Sequence, residues 1–121
     1  MSAIELGRYL EGTSAEQYHA CIEACVECLV SCEVCAEACL SAANVASMLE
    51  CVRLCRDTTE LCVSAVIVLA RGSDRAREIC RACAEVCERC AAECERHDMD
   101  TCRRCAEACR RCAEECRRIA A

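Results

Sequence analysis

Cysteine recurs along this chain in alternating steps of four and three residues. One series runs Cys21, Cys25, Cys28, Cys32, Cys35 and Cys39, a second Cys80, Cys83, Cys87, Cys90 and Cys94, and a third Cys102, Cys105, Cys109, Cys112 and Cys116. Cys51, Cys55 and Cys62 form a sparser fourth. An α-helix places residues three and four apart on one face, so each series marks a single helical stripe. Leucine stands at such positions in the seam of a helical bundle. Free cysteine is small and commonly buried, so one or two in a seam carry no message. Nineteen in 121 residues, at almost every seam position, have no packing rationale.

The rest of the composition favours long, closely spaced helices. Phe, Trp and Pro are absent, the aromatics are Tyr9 and Tyr18, and glycine occurs at Gly7, Gly12 and Gly72. The first helix is expected over about 15–43, with Ser14 as N-cap and Gln17 completing a capping box. Asn44 marks a turn, and a second helix over about 48–71 opens with Ser47 and Glu50 in the same relation. Gly72 suits the left-handed position that ends it. A third helix over about 75–96 opens at Ser73 or Asp74, and a fourth over about 101–120 follows the connection His97 to Asp100, capped by an aspartate. Ala3 to Glu11 reads as a separate helical turn or two. Connections this short make neighbouring helices antiparallel. The expected fold is all-α: an antiparallel up-down-up-down four-helix bundle with a cysteine-lined core, forming one domain over residues 1–121. A long coiled coil is the rival, weaker because each seam needs the others to bury it.

The net charge is −6, and arginine is interleaved with glutamate, the pattern of a solvated helix face. That argues against nucleic acid as a partner. Met1 to Gly12 has no basic run leading into an apolar stretch, so it does not read as a secretory signal. The longest apolar run, Val63 to Ala70, is too short to cross a bilayer. A cytoplasmic, reducing setting and no membrane partner are the expectation, and an odd cysteine number agrees with free thiols.

Two thiolates four residues apart on a helix converge on one small ion. The pairs are Cys21/Cys25, Cys28/Cys32, Cys35/Cys39, Cys51/Cys55, Cys83/Cys87, Cys90/Cys94, Cys105/Cys109 and Cys112/Cys116, with Cys62, Cys80 and Cys102 completing sites from adjacent helices. Charge separates the candidate metals. An unpaired interior charge costs several kcal/mol, ~3–5 when a buried pair is broken. One Cu(I) per thiolate leaves the core close to neutral, whereas each Zn(II) on four thiolates leaves two negative charges. Iron–sulfur clusters need wrapping loops rather than straight helices. Cu(I) is favoured, and spacing leaves zinc and iron–sulfur open. The triplet Cys21-x3-Cys25-x2-Cys28 matches that of radical enzymes, but it follows from the helical period.

Antiparallel helices sort the other soft ligands. Met48, His97 and Met99 gather at one end beside Cys39, Cys51, Cys94 and Cys102, and are expected to admit metal. At the other end Ala65, Val66 and Leu69 replace cysteine, Ile79 and Ile119 act as plugs, and His19 is structural. Thr58 stands where the second helix would carry a cysteine, to hydrogen-bond a thiolate or fill space. Val26, Leu29, Val30, Leu40, Val52, Leu54, Leu61, Val63, Ile67 and Val68 leave an apolar outer face on the first two helices, which suggests self-association.

From Tyr18 to Cys116, stacked Cys-x-x-x-Cys pairs on four helices resemble the bacterial copper storage proteins. The resemblance implies high-capacity Cu(I) storage for buffering, detoxification or supply, many ions per chain, and a homotetramer of bundles. It also implies His and Met ligands near an open end, matching Met48, His97 and Met99, and the family's cytosolic branch. A copper chaperone or cuproenzyme would be the exchange partner, and no enzymatic activity is expected. A thiol-based redox or metal sensor is the reading from another class.

Overall fold

The structure, a computed structural model, describes residues 2–121. Five helices are present among them: α1 (Ala3–Leu10), α2 (His19–Leu40), α3 (Val45–Ala70), α4 (Ala76–Cys94) and α5 (Asp100–Ala120). A 3-10 turn, Glu16–Tyr18, leads into α2. The long helices form a closed square, with α2 and α4 each packed against α3 and α5.

Sulfur contacts give the relative direction of the four long helices. Cys21 meets Cys116 at 3.8 Å and Cys39 meets Cys102 at 3.9 Å, so α2 and α5 are antiparallel. Cys51 meets Cys94 at 3.7 Å and Cys62 meets Cys83 at 3.9 Å, so α3 and α4 are too. Across the diagonal, Cys55–Cys105 and Cys62–Cys112 contacts, both 3.9 Å, show α3 and α5 running the same way. This is the expected up-down-up-down bundle.

Small side chains let the helices approach closely. Ala24, Ala36, Ala84 and Ala91 are buried beside the cysteines, and Ala106 and Ala113 nearly so. Outside, Arg111 reaches Glu23 at 3.0 Å and Glu27 at 2.6 Å, joining α5 to α2. Arg117–Glu88 and Arg110–Glu95, both 2.7 Å, join α5 to α4. The arginine–glutamate faces are solvated as expected, yet they also bridge helices; half-exposed pairs of this kind contribute at most ~1 kcal/mol each.

The helix starts differ from the sequence expectation for a local reason. Ser14 does not cap α2: Gln17 Nε2 donates to the Ser14 carbonyl at 3.0 Å, and the helix begins only at His19. Ser47 lies inside the first turn of α3, where its hydroxyl donates to the Asn44 carbonyl at 2.8 Å. Ser73 Oγ accepts from Arg75 N at 3.0 Å, stabilising the turn before α4. Met99, not an aspartate, holds the N-cap position of α5. Serine and asparagine serve tight turns as readily as caps, and here the turns win. The capping box is instead on α1, where Ser2 and Glu5 bond reciprocally.

Gly72 ends α3 with φ +62°, its N–H donating to the Leu69 carbonyl and that of Ser73 to the Val68 carbonyl, each at 3.0 Å. These two bonds make a Schellman motif. A Cβ at Gly72 would also collide with the Ser14 hydroxyl. Gly72→Ala is therefore expected to lower stability by more than the ~1–2 kcal/mol of a left-handed alanine. Urea unfolding should recover only the steric part of the loss in a Ser14→Ala background.

Candidate metal centre

All nineteen cysteines are free thiols, and each has a side chain at most 1% exposed. Alternation of three and four steps turns every one of them toward the bundle axis. Neighbouring sulfurs from different helices then interleave. Cys105 lies 3.6 Å from Cys32, Cys112 lies 3.6 Å from Cys25, and Cys28 lies 3.7 Å from Cys109. Stacked groups of four follow along the axis, their sulfurs all within 4.8 Å of one another. From one end they include Cys35/Cys39/Cys51/Cys102, Cys35/Cys55/Cys94/Cys105, Cys32/Cys55/Cys90/Cys105, Cys28/Cys62/Cys87/Cys112 and Cys25/Cys83/Cys112/Cys116.

The spacing suits a thiophilic ion. With metal–sulfur bonds of ~2.3 Å, three sulfurs around an ion sit ~4.0 Å apart and two opposite ones ~4.6 Å apart. The column already offers contacts from 3.6 Å to 4.0 Å, so sulfurs need to move by less than an ångström to hold one. Cys21, Cys80 and Cys109, outside the five groups above, still face the column: Cys21 lies 3.8 Å from Cys116, Cys80 interacts with both of them, and Cys109 lies 3.8 Å from Cys32. Burial, followed by the nearby Cys35 and Cys51, pushes the Cys39 thiol up to about 12. Burial also pushes Cys102 up.

Met48, His97 and Met99 lie around one depression at the end nearest Cys39 and Cys102, together with Asn44, Arg96 and Asp98. Met48 is buried one turn before Cys51, and Met99 is half-buried one turn before Cys102. Glu93 belongs to this end too and escaped the sequence reading. Its carboxylate is buried, 2.8 Å from His97 Nε2 and 3.1 Å from Arg96 Nη1. A carboxylate accepts, so Nε2 donates to Glu93, the arrangement carboxylate-supported histidine ligands use. The i,i+4 spacing of Glu93 and His97 was the available signal.

The opposite end is filled with hydrocarbon. Ala65 and Leu69 continue the α3 seam, fully buried, and Ile22, Leu10 and Ala15 are buried with them. Ile79 and Ile119, expected as plugs, are only partly buried at its edge, and Val66 likewise. His19 packs on α1, its ring 3.2 Å from where a Gly7 Cβ would stand, and lies 3.9 Å from Glu23. Thr58 is fully buried in the seam, but its hydroxyl donates to the Leu54 carbonyl at 2.7 Å and to no thiolate.

The family model for copper storage proteins matches residues 14–121. The chain belongs to that family. A solved Bacillus copper storage protein in its Cu(I)-bound form is 43% identical, with 84% of this chain and 96% of that one covered and a TM-score of 0.81. A cytosolic copper storage protein from Streptomyces lividans, with five coppers, is 38% identical over 88% and 94% of the two chains, with a TM-score of 0.84. The Streptomyces lividans protein Ccsp, loaded with 10 copper equivalents, is 36% identical over 98% of each chain, with a TM-score of 0.86. No curated protein matches the chain. Membership covers all four cysteine-bearing helices of this copper storage bundle.

A thiol raised by burial makes the metal-free fold sensitive to alkali. Below pH 9.0, its ordinary value, Cys39 is protonated in both folded and unfolded chains. Between there and about 12 the unfolded chain loses the proton first, so the stabilisation disappears as pH rises through that window. The urea midpoint of the reduced, metal-free protein is expected to fall from pH 8.5 upward to pH 11, and a flat midpoint would contradict the assignment.

Proposed function

We propose that this chain is a high-capacity Cu(I) store, with the nineteen buried cysteines as its ligands. The observation that carries this reading is the continuous column of free thiols inside a bundle of the copper storage family. Each arriving ion displaces a thiol proton to solvent, so a neutral column of S–H groups becomes a near-neutral column of copper thiolates. That matched exchange avoids the desolvated negative charge that four-thiolate Zn(II) groups would accumulate in the same interior. Relatives whose solved forms carry Cu(I), five coppers and 10 copper equivalents support the same cargo. The chain acts as a reservoir rather than a catalyst, for buffering, detoxification or supply.

Met48, His97 and Met99 form the mouth in this reading. Thioether and imidazole hold Cu(I) less tightly than thiolate, so an ion received there passes downhill to Cys39 and Cys102. At the opposite end the seam positions among the described residues are filled by Ala65 and Leu69, with Ile22, Leu10 and Ala15 buried beside them. The setting is the cytoplasm, as for the relative described as cytosolic, and no described helix is long and apolar enough to cross a membrane. Val26, Val30 and Val34 on α2, with Val63 and Ile67 on α3, are exposed together, while Leu29, Val52, Leu54, Leu61 and Val68 are half-buried against the core. That face supports self-association, with a homotetramer as the assembly and a copper chaperone or cuproenzyme as the exchange partner.

Anaerobic titration of the reduced protein against a competing Cu(I) chelator is expected to saturate near one ion per cysteine, about nineteen per chain. Saturation at one or two ions would reject storage. His97→Ala is expected to slow loading while leaving capacity unchanged, and a loss of capacity with unaltered rate would remove the mouth. Light scattering reporting a monomer would remove the assembly.

A further inference from the structure

Beside the cysteine seam of α4, positions seven apart are held by Ile79, Val86 and Glu93. The first two are partly buried hydrocarbon, and the third is a carboxyl only 8% exposed. Among the described residues no other acidic or basic side chain is buried. Stability gives no reason for it. Glu93 stands in the last turn of α4, where the macrodipole favours cations. Valine or isoleucine there would continue the stripe without the desolvation of a carboxyl. What the carboxyl does have is a partner four residues on, His97 Nε2 at 2.8 Å. The loop that carries His97 is held from the other side as well. Arg103 of α5 donates through Nη1 to the Asp98 carbonyl, and through Nη2 to Asp100 Oδ1 at 2.5 Å.

We infer that Glu93 is a positioning residue for copper entry, fixing the His97 ring so that one chosen nitrogen meets the ion. A ring nitrogen that holds a proton in a hydrogen bond cannot ligate. With Nε2 committed to Glu93, copper can bond this ring only at Nδ1. The contact also removes ring rotation that a free imidazole would give up only when the ion arrives. Fixing the ring in the folded chain moves that cost out of the transfer step. Entry is an exchange of ligands, in which a copper–nitrogen bond forms as a bond to the carrier breaks. Its rate therefore depends on how often the ring is found in the bonding orientation. Capacity belongs to the cysteines behind the mouth and does not depend on Glu93. This role rests on the mouth assigned above, whereas the contact between Glu93 and His97 does not.

Two readouts on the reduced full chain test this: the initial rate of anaerobic Cu(I) transfer from a weak chelator, and nitrogen NMR of His97 in the metal-free protein. Glu93→Ala is expected to slow transfer about tenfold, the size of effect that follows loss of a ligand's supporting carboxylate, with the final number of ions unchanged. Glu93→Gln keeps an oxygen that accepts from Nε2 and should retain most of the rate. His97→Ala should slow transfer at least as much as Glu93→Ala, and combining the two should slow it no further. In the spectra, a proton on Nε2 protected from exchange is expected in the unaltered protein and in Glu93→Gln, and is lost in Glu93→Ala. Slow transfer in His97→Ala with normal transfer in Glu93→Ala would overturn the positioning role and spare the mouth. So would a Glu93→Ala effect that persists in full without His97, or a Glu93→Gln variant as slow as Glu93→Ala. Normal transfer in His97→Ala would overturn the mouth itself, and the part of Glu93 in entry with it, even with the contact intact in the spectra.

Discussion

Everything in this molecule depends on nineteen neutral thiols being driven out of water onto one axis. Cysteine gives the hydrophobic effect little area to work with, so the bundle lacks the thick core that Leu or Phe would supply. It compensates by proximity. Alanines between the sulfur stripes, such as Ala36, Ala84 and Ala91, let the backbones close in until sulfurs touch across the axis. The same closeness that holds the fold without metal leaves sulfurs at separations one small ion can bridge. Stability and cargo binding draw on a single geometry.

That geometry also explains the surface. A core of small residues tolerates little sliding, because a shift of one residue would take an entire sulfur stripe out of register. Arg111, Arg110 and Arg117 reach from α5 to glutamates on α2 and α4, at places where a slip would break them. Each pair adds little energy, but they favour one register among several of similar apolar content. Among the described residues α2 and α3 are linked at Glu33, which pairs with Arg56 at 3.8 Å and accepts from the Thr59 hydroxyl at 2.8 Å, and the face they form is otherwise largely valine and leucine. Register control is thus concentrated on the α5 side, leaving the α2–α3 side as the apolar surface.

The stripes, the helix count and the inward direction of every cysteine were legible in the sequence, because period and burial are the same fact read twice. The sorting of Met48, His97 and Met99 to one end followed from short connections alone. What was not legible depended on competition between local and tertiary bonds. Ser14 and Ser47 look like caps, yet Ser14 is used against Gly72 and Ser47 folds back on Asn44. Ile79 and Ile119 were expected to close the lower end, but Leu10 and Ala15, brought over by the α1 segment, take that place. Glu93 was hidden because one more glutamate on an arginine–glutamate helix looks like solvated surface. Only the packing shows it buried and bonded to His97.

The two ends of the bundle differ in a way that a reservoir requires and a purely structural bundle does not. A column open at both ends would exchange ions with solvent at either, and its deepest sites would be no better protected than its first. Here Leu69, Ile22 and Ala65 fill one end with groups that cannot ligate metal, while the other keeps a buried carboxylate holding an imidazole beside two thioethers. Burying the Glu93 carboxyl, with little exposure, costs desolvation, and its contacts with His97 and Arg96 offset part of that cost. A bundle optimised for stability alone would replace the three by apolar side chains, as it does at the far end. In the proposed reading their presence marks the end where ions are handled, and the hydrocarbon plug the end where they are kept.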